Sequence, residues 1–464
     1  MFFQRIKTPG IAHVAYILAE DGLAAIVDPG RDVERYLNVI RDNGLRLRWV
    51  LETHRQEDFE MGGAALRKLT GAEIAACDHE YMAHADRRLN DGEEIALTDG
   101  TKLRGLHTPG HTPESMSFAV TLEAAPERPW GVFTGDAMFI GDTGRTDLPD
   151  KNKTAENAGL LYDQVHAKIL PLGDQTIVLP AHGAGSACGG NVADRDHSTI
   201  GIERVSNAVA VKSRREFMRH KAAEKLARPP YFRLMEKVNL EAGRPFEDAP
   251  VAWLRPHEFE QRCGGGIVID VRDVEAYAGG HVPGAYSVWL AGMARYGGWV
   301  TDETTPVYLV ADSPGDMREA RLSLARIGRD NVAGALAGGF KLWRDAGLPL
   351  EGAGTISPRR LADQLDDVVV LDVRDTAEVE GEGSIPGARH VYVGHLEDEI
   401  GRLGLDPEQP IVATCSVGHR GSLAVSILKR HGYSNASNLL GGMTAWRKLD
   451  LPTAQVEGAQ HAAQ

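Results

Sequence analysis

The sequence predicts an α/β multidomain protein, and three observations lead to that expectation. Short apolar runs recur through residues 1 to about 200, each closing on Gly, Pro, Asp or His. Helix-patterned stretches such as DVERYLNVIRDNG (32–44) stand between them. The second half repeats itself: Trp343 and Trp446, like Pro283 and Pro386, are separated by 103 residues. At roughly 150 residues per domain, a 464-residue chain holds about three.

Composition narrows the function classes. Sixty-five acidic residues against 51 basic give a formal charge of −14, which argues against nucleic acid or an anionic membrane surface as the main partner. The apolar content of 42% suffices for several cores. The opening MFFQRIKTPGIAHVAYILAE has no apolar run of signal-peptide or membrane-spanning length. Cys77, Cys188, Cys263 and Cys415 show no paired spacing, as expected of free thiols in a reducing, cytoplasmic setting. Homo-oligomerisation is left open.

In chain order, AAIVDPG (24–30), WVLETH (49–54), LRGLHTPGH (103–111), WGVFTGD (130–136) and TIVLPAHG (176–183) read as strands that deliver polar residues at their ends. Residues 206–245 are charged and helical, broken at RPP (228–230), and close the first domain, 1–245. IVIDVRDVEAYAGGHVPGA (267–285) returns as VVLDVRDTAEVEGEGSIPGA (369–388), and LAGGFKLWRDAGLP (336–349) as LLGGMTAWRKLDLP (439–452). Such a period fits two copies of a small α/β domain, 250–352 and 355–456, with Trp343 and Trp446 as core anchors. A disordered tail is expected at 457–464.

In the second copy, PIVATCSVGHRGSLAVSILKRHG (410–432) reads as strand, six-residue loop and helix. A thiol at Cys415 would face the unpaired N–H groups and positive end of that helix. Arg420 adds a positive charge, so the thiolate is favoured at neutral pH. LDVRD, IPGA, CSVGHR and GGMTAW together resemble a rhodanese sulfurtransferase domain. The resemblance implies that Cys415 carries sulfane sulfur, and that the loop Ser416, Val417, Gly418 and His419 binds the anion together with Arg420. Ser384 departs from the pattern, where the first copy keeps His281. The repeat spacing puts Asp312 at the nucleophile position of the first copy. A carboxylate cannot hold a sulfane sulfur, so that copy is expected to be an inactive rhodanese-like domain with a scaffolding or interface role.

The series VDPG, THRQEDF (53–59), LHTPGHTPES (106–115), TGD and AH resembles the metallo-β-lactamase fold, an αββα sandwich with a metal-binding edge. Within THRQEDF, His54, Glu57 and Asp58 are ligand types, whereas Phe59 has no donor atom and Gln56 is a weak one. A second metal therefore loses a ligand. His54, His111 and Asp136 remain, and two imidazoles with one carboxylate are the donor set of mononuclear iron(II) oxygenases, with positions left open. The segment GRTD (144–147) extends the likeness to persulfide dioxygenases, whose iron is held by the residues matching His54, His111 and Asp136. That family retains further histidines near the first, which are missing here.

The resemblance implies one Fe(II) per chain, and that Arg145 contacts a substrate carboxylate or packs its own loop. Asp58 and His182, second-metal ligands in hydrolases of this fold, are read as groups that support the ligands or face the substrate. Cys188, after His182, lines the pocket or is incidental. His79, His84 and Cys77 carry no usable pattern.

As a whole the chain resembles fused persulfide dioxygenase–rhodanese proteins of sulfide detoxification. The expected partners are glutathione persulfide or a similar low-molecular-weight persulfide, O₂, and sulfite or thiosulfate. Two alternatives stand beside this: a zinc thioester hydrolase of glyoxalase-II type, and a metal-free platform for the sulfurtransferase.

Overall fold

The computed structural model describes residues 1–455. They divide into two compact units: Met1–Asp248 with Ala325–Gly328, and Ala249–Leu324 with the chain from Arg329 onward. The tail expected to be disordered lies outside the described residues.

The first unit is built on two sheets. One orders Phe2–Thr8, His13–Glu20, Leu23–Val27, Arg46–Leu51, Glu73–Cys77 and Arg87–Leu89 as they follow in the chain; the other runs Ile177–Pro180, Gly131–Gly135, Met116–Leu122, Thr101–His107, Glu94–Ala96. Side chains alternate across a strand, so each sheet has two faces to bury. Val14, Tyr16 and Leu18 of the first sheet meet Phe118, Val120 and Phe133 of the second in one core. The opposite face of the second sheet, with Ala119, Val132 and Val178, packs on Leu161, Val165 and Phe217, from the helical segment that begins at Thr154 and from helix Arg214–Ala222. Helix Gly63–Thr70 lies on strands Arg46–Leu51 and Glu73–Cys77 of the first sheet. The result is the expected αββα layering. Just past the strands ending at Leu51, His107, Gly135 and Pro180 come His54, His111, Asp136 and His182.

The second unit repeats one topology twice. Its sheets are ordered Trp253–Leu254, Val332–Leu336, Val307–Val310, Ile267–Asp270, Tyr286–Ser287, and Gly354–Ile356, Ala436–Leu439, Ile411–Thr414, Val369–Asp372, Arg389–His390. Every pairing is parallel. Trp343 and Trp446 are buried core residues, and each indole N–H donates to a proline carbonyl six residues on, at 2.7 and 2.8 Å. Ser384 is buried and donates to Asp372 Oδ2 at 2.6 Å, whereas His281 donates to Tyr277 O and stacks on the Tyr277 ring at 3.8 Å. The serine therefore takes a different partner, and the copy keeps its fold. Among the described residues no helix is long and apolar enough to cross a membrane.

Candidate functional site

His54 follows strand Arg46–Leu51, and its orientation is set from behind. Thr53 Oγ1 donates its single proton to Asp28 Oδ2 at 2.8 Å, so at 2.9 Å the same oxygen accepts from His54 Nδ1–H. Gly135 makes that approach possible. Its φ is +53°, and a Cβ there would lie 2.6 Å from Thr53 Oγ1. His111 Nδ1–H donates to Arg145 O at 2.8 Å. Both imidazoles thus keep a bare Nε2 for a common point.

Asp136 completes the set. Its Oδ2 lies 3.4 Å from His111 Nε2 and 4.0 Å from His54 Nε2, and none of these three buried atoms has a hydrogen-bond partner. Three orphaned buried donor atoms within 4.8 Å of one another fit a cation. Burial pushes the His54 ring down to about 3, which leaves it neutral and able to ligate. Burial pushes the Asp136 carboxyl up, but His182, His111 and His54 outweigh it and hold the group below the ordinary range.

Asp58, His182 and Cys188 form a second buried donor set. Here His182 supplies the charge. Its Nδ1–H donates to Asp136 Oδ1 at 2.8 Å, and its Nε2 lies 2.9 Å from Asp58 Oδ2 without a hydrogen bond's alignment. Burial lowers its pKa, but the two carboxylates outweigh this and raise it well above the ordinary value. His182 thus sits between two carboxylates, and its bond occupies Asp136 Oδ1. Phe59 fills the adjacent space, its ring tilted by 39° against that of His13 at 4.0 Å. Cys188 is buried, and burial holds its thiol protonated, well above the ordinary value. A third set, Asp142, His220 and Glu224, already contains the Lys221 ammonium, 3.6 Å from Asp142 and 2.7 Å from Glu224.

Arg145 is held inside its own loop. It is 1% exposed. It forks onto Asp147 at 2.6 and 2.7 Å and donates to the carbonyls of Ala187, Leu226 and Ala227. With every donor engaged, the side chain packs its loop, and its carbonyl orients His111. Arg145→Ala is expected to cost about 3 kcal/mol, the scale of a broken buried pair, read as a lower unfolding midpoint. A raised KM at unchanged stability would instead mean that Arg145 touches substrate.

Glu57 has a placement that its sequence position does not reveal. Its Oε1 lies 3.5 Å from Arg55 Nη2 and its Oε2 lies 3.5 Å from His111 Nε2. It also lines a cavity of about 320 Å³ with Arg55, Tyr81, Thr112, Arg228 and Glu236, so the cavity reaches the metal-ligand set through Glu57. His84, which carried no pattern, is also paired: its Nε2–H donates to buried Glu52 at 2.6 Å.

In the second unit, Cys415 ends strand Ile411–Thr414, and helix His419–Arg430 follows. The amides of Gly418 and Gly421 donate to Cys415 Sγ at 3.1 and 3.4 Å, as the helix-end cradle requires. Arg420 is tied to carboxylates. Its guanidinium forks onto Glu378, with Nη2 at 2.8 Å from Oε1, and also donates to Asp375 and Ser416. Two carboxylates thus lie against the guanidinium, while the Gly418 and Gly421 amides face the Cys415 sulfur. Ser416 lies within this network, whereas Val417 is exposed.

The first copy takes part as well. Asp312 is exposed at the nucleophile position. Trp289 of that copy stacks on His419 at 4.8 Å, and Arg295 Nη2 lies 3.5 Å from Asp375 Oδ2, the oxygen that Arg420 also reaches. Sequence reasoning missed Trp289 and Arg295, because WLAGMARY (289–296) carries no motif.

Fold and sites together define a class: a metallo-β-lactamase-type domain with a candidate metal-ligand set, joined to two rhodanese-like domains. Residues 8–182 match the family model of the Metallo-beta-lactamase superfamily, and residues 255–346 and 357–449 each match the Rhodanese-like domain. More narrowly, this chain is a metallo-β-lactamase domain with persulfide dioxygenase homologues, followed by two rhodanese-like domains. It is 29% identical over 221 residues to the mitochondrial persulfide dioxygenase ETHE1 of Homo sapiens, across 47% of this chain and 79% of that one. It is also 29% identical over 204 residues to the hydroxyacylglutathione hydrolase GloC of Haemophilus influenzae, across 40% of this chain and 85% of the relative. The crystal structure of a metallo-beta-lactamase from Staphylococcus aureus subsp. aureus COL superposes with a TM-score of 0.64 at 27% identity, covering 73% of this chain and 99% of that one.

Proposed function

We propose that the first domain is a persulfide dioxygenase using one iron(II), and that Cys415 of the last domain exchanges sulfane sulfur with thiosulfate or a persulfide. The observation that carries this reading is the donor set. Two imidazole nitrogens and one carboxylate oxygen are aimed at one point, while His182 holds the other oxygen of Asp136 and Phe59 fills the neighbouring space. That set suits a single ion with open positions. Bound there, iron(II) would supply the O₂-reactive centre.

The chain's own residues do the rest. Thr53 and the Arg145 carbonyl fix which nitrogen each histidine offers, and His182 fixes the carboxylate. The cavity beside Glu57 has the size and polarity to take the body of a small thiol carrier. At Cys415, the Gly418 and Gly421 amides point at the sulfur that would take up the transferred atom and cradle the persulfide so formed.

The test is metal content with oxygen uptake. Protein purified without oxygen is expected to hold about one iron per chain and to consume O₂ with glutathione persulfide, releasing sulfite. A second reading, a zinc thioester hydrolase, is favoured by the likeness to GloC. It predicts zinc, hydrolysis of a hydroxyacylglutathione and no persulfide-dependent uptake, and that result would replace the first reading.

A further inference from the structure

We propose that Trp289, from the copy without a cysteine at the nucleophile position, is a positioning residue for Cys415: its stack on His419 holds the helix end whose amides point at the sulfur. The inference rests on the sulfur-transfer reading above and gives the first copy a part in that chemistry.

One stretch of the first copy, residues 284–295, meets helix His419–Arg430 at both of its ends. At the loop end, the Trp289 ring stacks on His419 at 4.8 Å, with 18° between the planes. Almost one turn on, Ser287 Oγ and Ser422 Oγ share a hydrogen bond of 2.8 Å, and both residues are buried. At the far end, Arg430 lies over the Tyr286 ring at 4.2 Å and donates to Gly284 O. Positions 419, 422 and 430 fall within about 80° of one another round a helix. One face of the helix is therefore laid against the first copy.

The start of this helix carries the sulfur cradle. His419 stands between Gly418 and Gly421, whose amides donate to Cys415 Sγ at 3.1 and 3.4 Å. Within the same copy, Asn438 Nδ2 donates to Gly418 O at 3.0 Å, and the Met443 and Thr444 amides donate to Cys415 O and Ser416 O at 2.7 and 2.9 Å. Trp289 adds a hold from the other copy at the next residue. Arg295 adds another: its Nη2 lies 3.5 Å from Asp375 Oδ2, which also accepts from Arg420 Nη1 at 3.2 Å. A displacement of about 1 Å at a reacting group can cost about 100-fold in rate, so a turn held from two sides favours transfer.

Trp289 is itself fixed. Its ring meets Tyr296 at 5.1 Å, and a Cβ added at Gly292 would lie 2.5 Å from it. Trp289 is half-buried and His419 is exposed, so their stack lies at the surface and its loss is separable from folding.

The experiment uses the full chain and compares wild type, Trp289→Ala, Trp289→Phe, Trp289→Leu and Cys415→Ser. It reads thiosulfate-to-thiol sulfur transfer and the hydrogen exchange of backbone amides. Trp289→Ala is expected to lower kcat and kcat/KM together by about 10-fold. Exchange becomes faster at residues 418–421 and stays unchanged in strand Val307–Val310. Trp289→Phe keeps a ring over His419 and stays within about twofold of wild type. Trp289→Leu fills the space without a ring and behaves as Trp289→Ala does; it decides the matter should Trp289→Ala fail to fold. Transfer within about twofold of wild type in Trp289→Ala or Trp289→Leu overturns the proposal. A loss shared equally by Trp289→Phe, or one with exchange raised throughout the unit, also overturns it, because Trp289 would then be a packing residue only. If Cys415→Ser still transfers sulfur, the reading of Cys415 fails and the proposal with it. An inactive Cys415→Ser beside fully active Trp289 variants removes the proposal alone.

Discussion

Cys415→Ser is expected to lower thiosulfate-to-thiol sulfur transfer by about 10³-fold or more, with iron content and persulfide-dependent oxygen uptake unchanged. The thiol is 1% exposed, and the amides of Gly418 and Gly421 point at its sulfur. An oxygen in that cradle accepts the same hydrogen bonds but cannot hold a sulfane sulfur. Serine is close in shape, and the Cys415 carbonyl still accepts from Met443 N–H at 2.7 Å, so the fold is retained. Among the described residues of the unit no other group is placed to take over: the matching position of the first copy is Asp312, and Cys263 is a half-buried thiol that donates to the Glu260 carbonyl. Sulfur transfer surviving in the variant would mean that sulfane sulfur travels on another cysteine, and the role given to the Gly418 and Gly421 amides would go with it.

What the sequence made legible follows from where its information is local. THRQEDF sits directly after a strand, so the turn and its loss of two donors are visible in seven letters. The 103-residue repeat shows two copies because each retains DVRD, PGA and a tryptophan that donates to its own chain. Other features depend on partners far along the chain. Arg420 reads as a free cation until Glu378, 42 positions earlier, is seen forked against it. His182 reads as a supporting residue, but its bond to Asp136 and its approach to Asp58 appear only when three segments converge. Glu57 lies in an irregular turn, where no periodicity tells which way a side chain points. The stacking of Trp289 on His419 joins two domain copies that share no motif at those positions.

The metal centre itself is tested most directly at Asp136. Asp136→Asn is expected to weaken metal binding by at least about 10²-fold and to abolish persulfide-dependent oxygen uptake without unfolding the domain. The asymmetry of this carboxylate decides why. Oδ1 accepts from His182 Nδ1–H at 2.8 Å, and an asparagine oxygen can accept the same bond. The amide nitrogen then takes the place of Oδ2, the orphaned atom 3.4 Å from His111 Nε2, where it has no lone pair to offer an ion. The substitution therefore keeps the link to His182 and removes the ligand. Ion binding to the native state adds stability that grows with the logarithm of free ion over its dissociation constant. Wild type should thus lose thermal stability on treatment with a chelator and recover it with added Fe(II), while Asp136→Asn stays at the metal-free value under both conditions. A variant that still loads one tightly held iron and keeps its oxygen uptake would show that the ion sits elsewhere, away from the point on which His54, His111 and Asp136 converge.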